Sequence, residues 1–104
     1  MSTLVASSTH FDLDTLEPFL VRVSELIPSG FGDMEIAQVL GTVERLKPHE
    51  EDELAFYIEY DGEPSRFRML LLLDDRGVPD VRFFAPRGLS ERIDAEIRRM
   101  DEIN

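Results

Sequence analysis

The chain has 104 residues, with 22 acidic and 11 basic side chains and a formal net charge of -11 at neutral pH, so it is long enough for one domain and too short for two ordinary ones. Apolar residues make up 42%, enough to fill a core, so the charge does not signal disorder. Cysteine is absent, which excludes disulfides, a thiol nucleophile and cysteine-held zinc or iron–sulfur sites, and the longest apolar run, Met69 to Leu73, is far short of the roughly 18 to 20 residues of a membrane span.

Residues 1–10 read as a flexible tail, and residues 11–104 as a single α+β domain. The start has no basic n-region, so no secretory leader is expected and the expected setting is cytoplasmic. Leu16, Phe19, Leu20, Val23, Leu26 and Ile27 then fall on one face of a helix. Asp14 or Thr15 is placed to cap it, Pro18 falls in its first turn and Pro28 stops it. Ser29-Gly30-Phe31-Gly32 is a connecting loop. Residues 34–47 fit two patterns. Ile36, Val39, Leu40, Val43 and Leu46 form a helical stripe with Asp33 as N-cap, whereas Ala37, Val39, Gly41 and Val43 alternate as a strand would. The helix is favoured; the strand would add a fourth member to the sheet.

From Glu53 the period becomes two. Leu54, Phe56, Ile58 and Tyr60 share one face of a strand, Asp61-Gly62-Glu63-Pro64 reads as a four-residue turn, and a second strand runs from Ser65 to Leu73. That turn sets Ile58 opposite Phe67, Phe56 opposite Met69 and Glu59 opposite Arg66. Asp75-Arg76-Gly77 suits a three-residue loop with Gly77 left-handed, and a third strand from Val78 to Ala85 then sets Met69 against Phe83, Leu71 against Val81 and Leu70 against Arg82. Ser90 is placed to cap a last helix with Leu89, Ile93, Ile97 and Met100 along one side. The expected fold is α+β: an antiparallel meander of three strands, or four if residues 36–46 are extended, with the N-terminal and C-terminal helices packed on one face.

The middle strand is apolar in both directions, whereas a sheet face meant for water alternates to polar residues. Its outer face would present Tyr57, Leu70, Leu72 and Phe84 among Arg66, Arg68 and Arg82, the mixture found at protein interfaces. Either the chain's own helices cover that face, or a partner or second copy does. The charge is equally uneven. Residues 1–64 hold fourteen acids against Arg22, Arg45 and Lys47, whereas residues 65–104 hold eight of each sign. The densest stretch is the loop Glu50-Glu51-Asp52-Glu53, which would steer a basic partner electrostatically or simply confer solubility.

No motif carries catalysis. His49 lacks the second histidine of a zinc helix, and the acidic run lacks the spaced ligands and central glycine of a calcium loop, so no metal or cofactor is expected. Ser7, Ser8 and His10 lie in the tail, and Gly30-Phe31-Gly32-Asp33 lacks the lysine of a phosphate loop. The excess of negative charge argues against direct nucleic-acid binding. The expectation is a small acidic, non-enzymatic protein-binding module (inhibitor-, immunity- or chaperone-like in size and charge), with Tyr57, Leu70, Leu72 and Phe84 as anchors, Arg66, Arg68 and Arg82 as orienting charges and Glu50, Glu51, Asp52 and Glu53 for steering. Its partner would be a protein, basic if the acidic loop steers it, or a second copy of itself, with no membrane involved. Two alternatives remain. One is a nucleic-acid mimic whose carboxylates occupy a basic groove. The other is a small ligand-binding or enzymatic domain with a pocket between helices and sheet and a buried carboxylate such as Glu17 or Glu25.

Overall fold

The structure, a computed structural model, describes residues 5–10 and 13–103. In chain order its elements are β1 (Val5–His10), α1 (Leu13–Leu26), α2 (Asp33–Arg45), β2 (Glu51–Tyr60), β3 (Glu63–Leu73), β4 (Pro79–Ala85) and α3 (Arg87–Ile103). The sheet is antiparallel throughout, in the order β1-β4-β3-β2. The α+β class, the meander and the helices on one side of it are as the sequence predicts. None of the helices is long and apolar enough to cross a membrane among the described residues.

The turn between β2 and β3 is tighter than expected. Asp61 and Gly62 both hold positive φ, 55° and 77°, the left-handed pair that a two-residue hairpin turn of the right twist requires. Tyr60 therefore faces Glu63 rather than Ser65, Phe56 faces Phe67 and Tyr57 faces Arg66. The register slides by two residues. An even slide exchanges partners but leaves every side chain on its face, which is why the predicted faces survive the wrong turn. In the β3–β4 loop Gly77 is left-handed at φ 77°, and the predicted pairs Met69–Phe83, Leu71–Val81 and Leu70–Arg82 all form. Asp74 holds that loop by accepting the backbone N–H groups of Arg76 and Val78 at 2.8 and 2.9 Å.

Several sequence-based boundaries change, among them the start of α1, which is Leu13 rather than a residue after an Asp14 or Thr15 cap. Residues 1–4 of the expected tail lie outside the described residues, but Val5–His10 pair with β4 over six residues. The backbone N–H and C=O groups along the free edge of β4 find partners there, and that gain outweighs the weak strand propensity of the serines. Residues 33–45 are helical, with Leu46 as an extended C-cap, so the fourth strand comes from the N-terminus instead. Burial of Ile36, Val39 and Val43 decides for the helix. The cost of Gly41 is tolerated, and the Thr42 hydroxyl donates to the Gln38 carbonyl at 2.8 Å. The N-cap of α2 is Gly32 rather than Asp33, with Glu35 Oε1 accepting the Gly32 N–H at 2.7 Å. α3 begins at Arg87, so Ser90 is not its cap; it lies buried one turn in, its N–H donated to the Pro86 carbonyl at 2.8 Å.

All three helices contribute to one core on the inner face of the sheet. Phe67, Met69, Leu71, Val81 and Phe83 project from the strands, and Leu16, Phe19, Leu20, Val23, Val39, Leu89 and Ile93 project from the helices, each at most 1% exposed. The aromatic side chains form a chain of contacts. Phe19 packs on Phe83 at 5.7 Å between centroids, Phe83 stacks on Phe67 at 6.1 Å, and Phe31 meets Phe67 and Phe56 edge-on at 5.2 and 5.3 Å. Phe31 belongs to the α1–α2 connection, which the glycines alone mark as a plain loop. The loop is anchored at both levels, by that ring and by Ser29, whose carbonyl accepts the Glu59 N–H at 2.9 Å.

Candidate interaction face

Alternation along β2, β3 and β4 sends every second side chain away from the helices, and none of the described elements covers that side. Inter-strand pairing arranges these outward residues in rows. One row is Glu51, Leu72 and Asp80; the next is Glu53, Leu70 and Arg82; the third is Ala55, Arg68 and Phe84; Tyr57 and Arg66 form the fourth. The seven residues expected to make the anchor and its charged rim, Tyr57, Arg66, Arg68, Leu70, Leu72, Arg82 and Phe84, thus occupy one face. Leu70, Leu72 and Phe84 are half-buried by their neighbours, while Tyr57 stands 79% exposed. Leu70, Leu72, Asp80 and Arg82 enclose a shallow dimple of about 20 Å³.

Two of the three arginines, Arg68 and Arg66, are held against neighbours. Arg68 donates through Nε to Glu53 Oε1 at 2.9 Å, with Nη2 at 2.8 Å from the same oxygen, and its guanidinium carbon lies 5.3 Å from the centroid of the Phe84 ring. Arg66 lies over Tyr57 at 5.8 Å. Stacking on a ring covers part of the guanidinium while leaving its edge free to hydrogen-bond. These two contacts restrict where the two side chains can go. An ion pair this exposed contributes under about 1 kcal/mol, so its role is to orient Arg68 more than to stabilise the fold.

The acidic run Glu50–Glu53 is not the free loop expected of it. Glu51, Asp52 and Glu53 begin β2, because their backbone groups complete the ladder opposite Leu70 to Leu72. Glu50 Oε1 accepts the Lys47 N–H at 2.8 Å, Asp52 Oδ1 accepts the Glu53 N–H at 2.8 Å, and Glu53 is bound to Arg68. Only Glu51 and Glu53 belong to the outer rows. Sequence reasoning did not count those two, nor Asp80, among the residues of the face, although the period-two count from Tyr57 and from Arg82 would have placed all three there.

Elsewhere the chemistry is sparse. A second, open cleft of about 300 Å³ lies where the β2–β3 turn approaches the start of α3, lined by Tyr60, Asp61, Glu63, Ser65, Gly88 and Arg92 among others. Arg92 lies 5.9 Å from the Tyr60 ring centroid there. Glu17 and Glu25, the carboxylates considered for a pocket between helices and sheet, are exposed, and that interface is filled by the phenylalanine chain. Among the described residues no three His, Asp or Glu side chains cluster as a metal site would need. Comparison of the chain with protein-family models, with curated proteins and with solved structures finds no match. The candidate site rests on its geometry alone: an open-faced α+β sheet, packed on one side and apolar at the centre of the other.

Proposed function

We propose that this protein is a non-enzymatic protein-binding module that works through the outer face of its sheet. One observation carries the proposal. Leu70 and Leu72 project from the centre of the sheet to a side that none of the described helices occupies, with the Phe84 ring beside them. Covering that side removes apolar area from water. Neighbouring side chains already shield most of Leu70, Leu72 and Phe84, so covering the remainder contributes about 1 kcal/mol each rather than the 1.5–3 kcal/mol of a fully exposed side chain. Tyr57, at 79% exposure, has the most to gain and carries a hydroxyl that tolerates a wet rim. Arg66, Arg68 and Arg82 fix the orientation of whatever docks, and the carboxylates at the start of β2 add a term of opposite sign along one edge.

The test is a pair of substitutions on the face, Leu70→Asp and Phe84→Asp. Both are expected to leave the monomer folded and to abolish its association. If either unfolds the chain as a core substitution does, the face is part of the core and the reading fails.

A further inference from the structure

We infer that the occupant of this face is a second copy of the same chain, the two sheets packed face to face about a two-fold axis parallel to β3. The inference rests on the binding role proposed for the face and names its partner. Charge is the first argument. The described side chains of the outer rows include four carboxylates, Glu51, Glu53, Glu59 and Asp80, and three guanidinium groups, Arg66, Arg68 and Arg82, in a chain whose net charge is -11. The face is nearly neutral and the remaining surface holds almost all of the excess. A strongly basic partner would be drawn to that remaining surface. A second copy can approach at low cost only along the neutral face.

Register is the second argument. β2 and β4 flank β3 at equal spacing of about 4.8 Å, so a two-fold along β3 lays β4 of one protomer over β2 of the other while keeping every row at its own level. Glu53 and Arg82 share one row with Leu70 between them. The rotation therefore sets Glu53 of each protomer over Arg82 of its partner, with Leu70 meeting Leu70 in between. In the next row the small Ala55 meets the large Phe84 ring, and Leu72 meets Leu72. Aligned sheets pack about 10 Å apart, which suits side chains of this length. Arg68 faces its own copy, but each is already bonded to Glu53 of its own chain and lies along a ring. The remaining like-charge pairs, Arg66 with Arg66 and Glu51 with Asp80, fall in the outermost rows, and together with the Arg68 pair they hold the affinity down. A small interface carrying these like-charge pairs is expected to associate weakly, with a dissociation constant of about micromolar order.

Sedimentation equilibrium tests this with the whole chain, the Glu53→Arg and Arg82→Glu variants, and an equimolar mixture of the two. The wild-type weight-average mass is expected to rise from 11.9 kDa toward twice that value between about 10 and about 300 µM, and to rise further with added salt as the repulsion between the two negative chains is screened. Each charge reversal alone weakens association at least about tenfold, because both pairs of its homodimer then oppose like charges. The mixture restores it, since each Glu53–Arg82 position then holds opposite charges. Rescue in trans separates pairing across the interface from any loss of the Glu53–Arg68 contact within one chain. Wild type at monomer mass across the whole range, or reversals without effect or without rescue, overturns the two-fold arrangement. Whether the face is open surface rather than core is decided separately, by whether Leu70→Asp leaves the monomer folded.

Discussion

Leu70 and Leu71 are neighbours in one strand and chemically identical, yet they point to opposite faces of the sheet. Leu71 is 1% exposed and paired with Val81 on the inner face. Leu71→Asp loses roughly 1.5–3 kcal/mol of transfer free energy and also forces a carboxylate into the core, where it either ionises unpaired or takes up a proton at a cost of several kcal/mol more. Against a total stability of about 5–15 kcal/mol that is enough to unfold most of the population. Leu70 is half-buried beside Arg82 and Glu53. Its substitution by Asp gives up about 1 kcal/mol of partial burial, and the new carboxylate reaches both water and the Arg82 guanidinium. For a domain of this size 1 kcal/mol moves the melting temperature by about 4–8 °C. Far-UV circular dichroism melts of the two variants, run dilute enough to keep the chain monomeric, should show a folded Leu70→Asp protein with a modestly lowered transition and no cooperative transition for Leu71→Asp. Comparable losses in both would refute the assignment of the two faces.

Two further substitutions probe how the sheet is held. A Cβ at Gly30 would lie 2.3 Å from the Tyr57 carbonyl oxygen and 2.7 Å from the Ile58 Cα, at φ +102°, so Gly30→Ala should cost about 3 kcal/mol or more in urea unfolding, because backbone must move. A Cβ at Gly62 meets nothing within 4 Å but the position holds φ +77°, so Gly62→Ala should cost only the left-handed conformation, about 1–2 kcal/mol by the same assay. Equal costs at the two sites would mean that the Gly30–Tyr57 approach is not as close as described.

The fold was legible where burial on one face imposes a period. The helical stripes of Leu16 to Ile27 and of Leu89 to Met100, and the alternation of Leu54 to Tyr60, follow directly from which side chains the core takes. The seven residues of the outer face were legible for the same reason, since a period of two divides a strand without knowledge of its partner. Pairing was harder. Asp61-Gly62 is a known two-residue turn signal, but Glu63-Pro64 after it reads equally as turn chemistry, and only the backbone shows that Pro64 lies within the strand. β1 escaped because a six-residue edge strand depends on a neighbour from the far end of the chain, and nothing local in Ser7 and Ser8 announces it. Phe31 escaped because a loop between glycines carries no period to place a side chain. The use of Glu50 and Asp52 in local backbone bonds was invisible to a count of charges.

Hydroxyl-radical footprinting across a concentration series tests the central claim, that the chain leaves the outer face of its own sheet uncovered. In dilute solution Tyr57, Leu70 and Phe84 should be oxidised while Phe67, Met69 and Phe83, each 0% exposed, stay unmodified; as concentration rises, the first three should become protected. Phe84 and Leu70 as unreactive as Phe83 at every concentration would contradict the account.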